Sequence, residues 1–427
     1  MKWLRLFDNI NEVIFFVLTV LYFYQVIYII VGILSKYFKM PTSTKKLHYA
    51  IMISARNEEN VIKEIIDSLK KQNYDKDKYD IFVLADNCTD DTAQIAYDNG
   101  AYVYEREDTI HVGKGYALDY LYHAIQRDFG DNYDAYIVFD ADNIVDQNFL
   151  KEMNGRFATK KYDALTCYRN SKNFCTNWLT YGYSVWFLHE ARLVNAARNV
   201  MNTTCMISGT GFCVSKELMK ENQGWPYHLL TEDIEFSVNC ALKGKKIGYC
   251  SKAIVYDEQP ISWSQSYNQR LRWSKGFLEI NEKYSWSLLK GLISSPYKFG
   301  IYDVLMTVAP CTLVTLSLIF MSVILGITST SMPRYVSILI KNRMIDFIVM
   351  SMIVYYFLFL LMGLVTLITE RENIHGPTYK KIGYLFLFPI FLFTYAPITI
   401  IALFKRVTWS PIAHHTIHEL ENRQANS

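Results

Sequence analysis

The chain has few charged residues and no closely paired cysteines. Only 20% of its 427 residues are Asp, Glu, Lys or Arg, whereas 51% are apolar and 15% are aromatic. This composition excludes intrinsic disorder and is too apolar for an ordinary soluble enzyme. No two of the eight cysteines form a Cys-x-x-Cys pair. A small disulfide scaffold is therefore excluded, and we expect dispersed, reduced thiols on the cytosolic side of a membrane.

The sequence also lacks several motifs that mark common enzyme classes. No G-x-G-x-x-G follows a predicted strand, and neither G-x-x-x-x-G-K-[S/T] nor H-E-x-x-H occurs. These absences count against dinucleotide oxidoreductases, P-loop ATPases and H-E-x-x-H zinc sites. The 44 basic and 41 acidic residues nearly cancel, so no nucleic-acid partner is expected.

Four apolar stretches contain no charged residue, namely residues 13–35, 304–333, 347–369 and 382–404. Each is long enough to cross a bilayer as a helix, because about 20 residues span the hydrocarbon core. Four lysines and no acid lie between residues 36 and 46, which predicts a cytoplasmic location for the central part of the chain. We therefore predict a multi-pass plasma-membrane protein with a cytoplasmic central domain. The side of the C-terminal tail stays open, because Pro389 and Pro397 can bend the last stretch.

Hydropathy divides the chain into five predicted regions. They are a transmembrane helix at 1–35, a globular domain at 36–260, amphipathic helices on the membrane surface at 261–298, transmembrane helices at 299–404 and a polar tail at 405–427. The amphipathic assignment rests on tryptophans and other apolar residues that alternate with lysines and arginines.

Strand and helix patterns alternate within the central domain. Buried strands are predicted at 47–54, 79–85, 101–105 and 135–139, and amphipathic helices at 59–71, 92–99 and 116–129. This alternation predicts an α/β fold with a mostly parallel sheet. In such folds ligands bind at the carboxyl ends of the strands.

Polar residues concentrate at those strand ends. The segments are 55–58 (ARNE), 86–90 (DNCTD) and 140–143 (DADN). Crowded carboxylates repel one another unless a cation lies among them, and divalent ions prefer oxygen ligands. An isolated D-x-D is equally typical of a helix cap or a turn, and Thr89 or Asp90 can simply cap the next helix. Asp86, Asp140 and Asp142 are the better candidates because they follow buried strands directly.

Three further segments make a resemblance specific: 209–213 (GTGFC), 231–233 (TED) and 269–273 (QRLRW). Together with the strand-end segments, in this order and between apolar stretches, they resemble the membrane-embedded family 2 glycosyltransferases. That group includes the cellulose, chitin, hyaluronan and poly-N-acetylglucosamine synthases. The resemblance covers roughly residues 47–276 and is most specific in Q-R-L-R-W. It implies a GT-A-type α/β domain that polymerises UDP-glucose or UDP-N-acetylglucosamine processively, with inversion, and moves a β-linked polysaccharide across the membrane.

The chemistry of a nucleotide-sugar donor suggests roles for the acidic residues. The diphosphate leaving group needs a divalent cation to neutralise its charge, so we expect Mg²⁺ or Mn²⁺ at Asp142. Asp140 would face the ribose or the water shell of the metal. The resemblance also implies nucleotide-sugar contacts from Ala55, Glu58, Asp86 and Lys114. Lys114 lies between two glycines, where it can meet phosphate oxygens or simply occupy a turn.

The acceptor is a sugar hydroxyl that must lose its proton to a carboxylate. Asp233 is the expected general base, with Glu232 beside it in the catalytic pair. Thr231 is expected to cap the helix that starts at Glu232, and acids in a first turn can also serve only the helix dipole.

The Q-R-L-R-W segment and G-T-G-F-C complete the predicted site. Arg270 and Arg272 would bind the departing diphosphate. Acceptor contacts are expected from Gly211, Cys213, Gln269 and Trp273. Trp273 offers a flat face for the terminal sugar, although the segment equally suits an amphipathic helix at the membrane surface.

Two other functions compete with a processive synthase. A single-transfer glycosyltransferase acting on a lipid-linked acceptor would share D-x-D but would not need Q-R-L-R-W. A transporter subunit would need ionisable residues within the apolar stretches, and the four stretches contain none. Expected partners are the UDP-sugar, the growing polysaccharide, the lipid bilayer and accessory export proteins. The sequence does not indicate which sugar is used.

Overall fold

The computed structural model describes residues 2–309 and 311–408. Eight strands form one sheet: β1 Tyr49–Ala55, β2 Tyr79–Asp86, β3 Tyr102–Arg106, β4 Ala135–Asp140, β5 Ile144–Val145, β6 Ala164–Ser171, β7 Phe212–Ser215 and β8 Ile247–Asp257. The four strands predicted from the sequence agree with β1 to β4 within two residues at each end.

The strand order is β3-β2-β1-β4-β7-β6-β8-β5. Strands β1 to β4 pair in parallel, and β6 pairs in parallel with β8. The short strand β7 is antiparallel to both of its neighbours, and β5 is antiparallel to β8. The predicted mostly parallel α/β sheet is therefore confirmed. Because the chain leaves β1 toward β2 on one side and β4 lies on the other, a crevice for ligands opens at their carboxyl ends.

The helices are α1 Lys2–Tyr22, α2 Tyr24–Leu34, α3 Ile62–Lys70, α4 Thr92–Asp98, α5 Lys114–Phe129, α6 Phe149–Phe157, α7 Trp178–His189, α8 Ala196–Val200, α9 Lys216–Glu221, α10 Glu232–Leu242, α11 Trp263–Ser294, α12 Lys298–Val308, α13 Cys311–Thr328, α14 Arg334–Thr369, α15 Thr378–Phe393 and α16 Tyr395–Phe404.

Both faces of the sheet are buried, as expected for parallel strands that run between helices. In β1, Ala50 and Met52 contribute to the hydrophobic core that also contains residues of α5 and α7. Tyr49, Ile51 and Ile53 contribute to the core on the opposite face, with residues of α3 and α6. The alternation along one strand thus places apolar side chains in two separate layers.

Three helical segments of the described chain are long and apolar enough to cross a membrane: Phe15–Tyr37, Arg334–Thr369 and Thr378–Phe404. They coincide with three of the four predicted stretches. Of the fourth, residues 304–333, the described part includes a shorter apolar helix at Ile319–Ser331. Residues 409–427 of the predicted tail lie outside the described residues.

A π-helical turn, Glu190–Asn195, joins α7 to α8. Its Arg192 forms an ion pair with Glu370 at the end of α14, with 2.9 Å between Nε and Oε1. The same guanidinium donates hydrogen bonds to the carbonyl of Gly32 (3.0 Å) and the hydroxyl of Ser35 (2.7 Å). A Cβ at Gly32 would lie 2.5 Å from the carbonyl oxygen of Leu193. The turn therefore holds the ends of α2 and α14 tightly beneath the sheet.

Candidate active site

Lys114 lies at the centre of a group of acids at the carboxyl edge of the sheet. It begins α5, and its Nζ donates hydrogen bonds to the Asp140 carboxylate and to the carbonyl oxygen of Gly209, the latter at 2.8 Å. Burial lowers the pKa of Lys114, but the negative charges of Asp140, Glu232 and Asp233 raise it more, so the pKa is raised overall. The ammonium group is thus a fixed positive charge between strand β4 and helix α10.

Asp233 lies on the other side of the Gly209 turn. Its Oδ2 accepts a hydrogen bond of 2.6 Å from the backbone N–H of Gly209. Burial raises the pKa of Asp233. Burial and the neighbouring charge of Asp233 raise the pKa of Glu232 to about 7, although Lys114 and Arg272 act in the opposite direction. Both acids of the pair therefore have a raised pKa, and burial is the largest cause for each.

A second polar network joins the ends of β4 and β8. The amide of Asn143 donates to Asp142 (3.2 Å) and to Asp257 (3.1 Å). Arg169 Nε donates to Asp257 at 2.9 Å, and Asp142 is also hydrogen-bonded to Asp257. Burial alone would raise the pKa of Asp257, but the charge and hydrogen bonds of Arg169 lower it. Asp257 is therefore an anion paired with Arg169.

The donors available for a metal ion are carboxylate oxygens. Asp140 and Asp142 are two positions apart at the end of β4, and Asp142 is buried. Among residues 2–309 and 311–408, no three His, Cys, Asp or Glu side chains are arranged to hold a metal ion. Mg²⁺ commonly takes only one or two carboxylates and completes its shell with water and substrate phosphates. Asp140 and Asp142 fit that arrangement.

The end of β2 holds a buried ion pair. Asp86 Oδ1 and Arg106 Nη1 are 2.6 Å apart, and both side chains are buried. Burial raises the pKa of Asp86, although Arg106 opposes this shift. At the end of β1, Ala55 is buried and the backbone N–H of Glu58 donates to Thr92 Oγ1 at 2.8 Å. These groups form the outer edge of the β1–β2 end of the crevice.

This arrangement agrees with a match over more than half of the chain: residues 47–276 match the family described as "Glycosyltransferase like family 2". The chain belongs to this family. Among solved structures, it is similar in fold to a mannosyltransferase from Pyrobaculum calidifontis that was solved with GDP-mannose and Mn²⁺. The TM-score is 0.54 at 14% identity, covering 83% of this chain and 96% of the other. The sheet domain is therefore of the GT-A type.

The relatives of this family 2 chain have names that describe different activities. It is 24% identical to a probable glycosyltransferase of Sulfolobus acidocaldarius, over 61% of this chain and 56% of the relative. It is 26% identical to a β-monoglucosyldiacylglycerol synthase of Synechocystis, over 53% and 47%. It is also 26% identical to a poly-β-1,6-N-acetyl-D-glucosamine synthase of Staphylococcus aureus, over 56% and 57%. The chain thus spans about half the length of these relatives.

The structure brings the predicted residues Lys114, Asp140, Glu232 and Asp233 of the family 2 domain into one cluster. Arg272 lies close enough for its charge to lower the pKa of Glu232. Asp142 is adjacent to this cluster through β4. Asp86, Ala55 and Glu58 lie at the neighbouring strand ends, as the strand-end rule predicts.

The expected role of Arg270 is not supported. This residue is fully buried, and its guanidinium donates to the carbonyl of Phe391 (3.3 Å) and to the Thr394 hydroxyl. Its guanidinium carbon lies 4.8 Å from the ring centre of Phe391 and 5.2 Å from that of Tyr395. Arg270 therefore faces the bend between α15 and α16, whereas Arg272 is the arginine of this motif that lies near the acids.

Cys213 is also placed differently from the expectation. It is fully buried in the core between β4 and β6, where burial raises the pKa of its thiol. Gly211 has φ +67°, and a Cβ there would lie 2.3 Å from Cys167 Sγ. Cys213 therefore serves the packing of β7 and cannot present its side chain to a sugar, whereas the expected approach of a sugar to the backbone of Gly211 stays a prediction.

Trp273 and Gln269 remain at the edge of the site. The ring of Trp273 packs edge-on against Tyr183 and Phe187, with centroids 5.7 and 6.0 Å apart. Trp273 is half-buried. The side-chain oxygen of Gln269 is buried and has no hydrogen-bond partner among the described residues. The expected acceptor contacts of these two residues stay predictions.

Two predicted helix caps have different outcomes. Thr231 precedes α10 but makes no side-chain capping bond, and its hydroxyl lies against Gly276 of α11. The capping prediction was wrong because close packing of α11 occupies this side chain. Asp90 accepts hydrogen bonds from the backbone N–H (3.1 Å) and hydroxyl (2.6 Å) of Thr92. The cap position of α4 is Asp91, which makes no side-chain capping bond. Asp90 therefore binds the first residue of α4 from one position further out, and the alternative of a ligand contact by Asp90 stays a prediction.

Sequence reasoning missed Arg169, Asp257 and Glu190. Asp257 ends β8 and Arg169 lies near the end of β6. The rule that found Asp140 would also have indicated them, had those two strands been assigned. Glu190 lies in a helical segment without a motif, and the sequence contains no signal for it.

Proposed function

We propose that the chain is a processive, inverting glycosyltransferase that uses a UDP-activated hexose, either UDP-glucose or UDP-N-acetylglucosamine. The observation that carries this proposal is the single turn at Gly209. Its carbonyl contacts Lys114 beside Asp140, and its N–H contacts Asp233. Lys114, which would bind the donor, and Asp233, the candidate base, are therefore both hydrogen-bonded to Gly209. A direct displacement requires the donor and the base to be held close together in this way.

In the proposed reaction Asp233 removes the proton from an acceptor hydroxyl. The hydroxyl oxygen forms the new bond to the anomeric carbon while the bond from that carbon to the diphosphate oxygen breaks. UDP leaves with the electron pair, and the linkage changes from α to β. Lys114 and Arg272 provide positive charge for the departing diphosphate. No covalent enzyme intermediate is needed.

Mg²⁺ or Mn²⁺ would be held by Asp140 and Asp142 and, when bound, would offset charge on the diphosphate. The Pyrobaculum neighbour solved with GDP-mannose and Mn²⁺ supports this assignment. Asp86, Ala55 and Glu58 would line the nucleoside end of the donor site. The chain would lie in the plasma membrane, with its catalytic domain on the cytoplasmic side and the polymer leaving between the membrane helices.

Processivity is supported by the retained Q-R-L-R-W segment, with Trp273 as the floor for the terminal sugar and Gln269 beside it. A second candidate is a single transfer to a lipid-linked acceptor. It is favoured by the similarity to a β-monoglucosyldiacylglycerol synthase. The two functions differ in the length of the product.

The test uses the full chain in nanodiscs, incubated separately with UDP-glucose and UDP-N-acetylglucosamine. We expect a polymer that a linkage-specific β-glycosidase degrades, and loss of product in excess chelator. Asp233→Asn should keep UDP binding and lose at least about 100-fold in rate. The exposed Glu217→Gln serves as the control. A single-sugar glycolipid would overturn processivity, and a turnover by Asp233→Asn within about threefold of the unaltered enzyme would overturn the choice of base.

A further inference from the structure

A small pocket lies beside Asp233 and contains no residue that the proposed reaction uses. Arg169, Phe187, Glu190, Ser208 and Thr210 are among its lining residues. The pocket is narrow and leaves room for little more than one water-sized group. The pocket is therefore too small for a sugar ring but large enough for one hydroxyl.

Glu190 is the acid in this pocket. It is half-buried, and Ser208 Oγ donates to its Oε2 at 2.9 Å. Among the described residues, its other oxygen accepts no hydrogen bond from the protein. Ser208 directly precedes Gly209, whose N–H binds Asp233. Glu190 is thus hydrogen-bonded to the residue that directly precedes the turn that orients the proposed base.

The aromatic wall of the pocket continues toward Trp273. Phe187 packs against Trp273 at 6.0 Å between ring centroids, and the guanidinium of Arg169 lies 3.7 Å from the ring centre of Phe187. Phe187 therefore connects the pocket to the ring of Trp273. Apolar ring faces combined with a carboxylate are the usual means of binding a pyranose.

A π-helical turn links Glu190 to the apolar helices. One extra residue in a turn shifts every later side chain around the helix axis, and such turns are frequent at functional sites. Here the turn starts at Glu190 and places Arg192 against Gly32 and Glu370. The first residue of the turn, Glu190, therefore faces the pocket, and the third residue, Arg192, contacts the ends of the apolar helices α2 and α14.

We propose that Glu190 is an acceptor-binding residue: its carboxylate accepts a hydrogen bond from one hydroxyl of the acceptor sugar and fixes the ring against Asp233. This inference rests on the proposed glycosyl transfer. It assigns the acceptor, not the donor, to the side of the site formed by α7 and the π-helical turn.

The experiment compares transfer with hydrolysis. UDP release is measured for the full chain in nanodiscs, without acceptor and with increasing cellobiose for UDP-glucose or diacetylchitobiose for UDP-N-acetylglucosamine. Glu190→Gln should raise the apparent KM for the disaccharide roughly tenfold, because a hydrogen bond to a charged acceptor becomes a weaker one to a neutral amide oxygen. UDP binding and UDP release into water should stay within about twofold.

Glu235→Gln is the matched control. Glu235 is fully buried in α10 and binds Lys283 and Tyr284 away from the pocket, so it should change thermal stability but not the disaccharide KM. An unchanged KM in Glu190→Gln would overturn the proposal. A parallel loss of hydrolysis and transfer would do so as well, because Glu190 would then only hold the Ser208–Gly209 turn. If the unaltered chain transferred no sugar from either donor, the proposed function itself would fail.

Discussion

Glu232 and Asp233 are neighbours in sequence, yet the two carboxylates have different hydrogen-bond partners. Asp233 accepts a backbone N–H bond from Gly209, which favours its anion. Glu232 is 9% exposed and has Asp233 beside it, and its pKa rises to about 7. Burial raises the pKa of both neighbouring acids, so the chain holds a proton beside the proposed base at higher pH than two free carboxylates would.

The first prediction uses the sign of this shift. The pKa of Glu232 is higher in the folded chain than its ordinary value of 4.5, so folding favours the protonated form. Its contribution to stability is greatest below that ordinary value and decreases as pH rises through about 7. Glu232→Gln cannot ionise. We expect it to raise Tm relative to the unaltered chain at pH 8 and to change Tm little at pH 5, as measured by thermal unfolding in detergent. An equal change at both values would contradict the assigned shift.

Trp273 allows a second prediction, because its two possible roles give different results. As a floor for the acceptor sugar, it should tolerate Phe better than Leu, since only an aromatic ring keeps a flat face. We expect polymer yield to rank Trp above Phe above Leu, with UDP binding unchanged. As a membrane anchor alone, Phe and Leu should perform equally, because both keep apolar area. Equal yields from folded, inserted variants would reduce Trp273 to an anchor.

Individual site residues could be predicted from the sequence where they directly follow a strand of the parallel sheet. Asp86, Asp140 and Asp142 follow buried strands, and the carboxyl edge of a parallel sheet brings them together. Cys213 was misassigned because alternate residues of a strand face opposite sides of the sheet. A motif gives a spacing but does not say which side faces the substrate.

The arginines of α11 show how an element selects between neighbouring residues. Arg270 and Arg272 are two positions apart, about 200° around a helix. The two side chains therefore cannot both face the site. Arg270 binds the bend between α15 and α16, where Thr394 separates the two helices. Arg272 lies near Glu232. The sequence motif alone assigns both to the diphosphate.

The third prediction separates these two roles. Arg270→Gln should lower the free energy of unfolding by about 2 kcal/mol, because buried carbonyl and hydroxyl partners lose a charged donor, while affinity for UDP persists. Arg272→Gln should weaken UDP binding and turnover while stability stays unchanged. Thermal unfolding and UDP titration of both variants provide the comparison. Reversed results would return Arg270 to the donor site.

Element positions were predictable from apolar runs and periodicity, and β1 to β4 agree with the sequence for that reason. The π-helical turn could not be predicted this way, because nearly every residue of α7 is buried and the sequence has no amphipathic stripe in which a change of phase would show. It forms where tertiary packing requires it, against Gly32 and Glu370.

At the scale of the whole molecule, the hydrophobic core extends beyond the residues that match the family. The match ends at residue 276, but α15 lies against α7 of the sheet domain. A Cβ at Gly182 would lie 2.5 Å from Phe391, and the rings of Tyr183 and Phe391 are 5.0 Å apart. Phe388 and Phe391 belong to the same core as β4 and β7.

The fourth prediction is that a chain ending after residue 276 does not fold into a UDP-binding protein. It would expose the apolar surface of α7 and leave Arg270 without its partners. We expect aggregation or protease sensitivity, measured by gel filtration and limited proteolysis, with the chain ending at residue 408 as control. A soluble, UDP-binding fragment would show that the sheet domain is independent of α15.

The contact of Arg192 with Gly32, Ser35 and Glu370 has a mechanical consequence. The ends of two apolar helices are tied to the turn that starts at Glu190, so a tilt of either helix displaces the backbone under the acceptor pocket. Acyl-chain length changes the tilt of such helices. In the proposed membrane setting, the thickness of the surrounding lipid would thereby become a determinant of how the sugar is aligned, and the bilayer would act as an effector of the chemistry as well as its support.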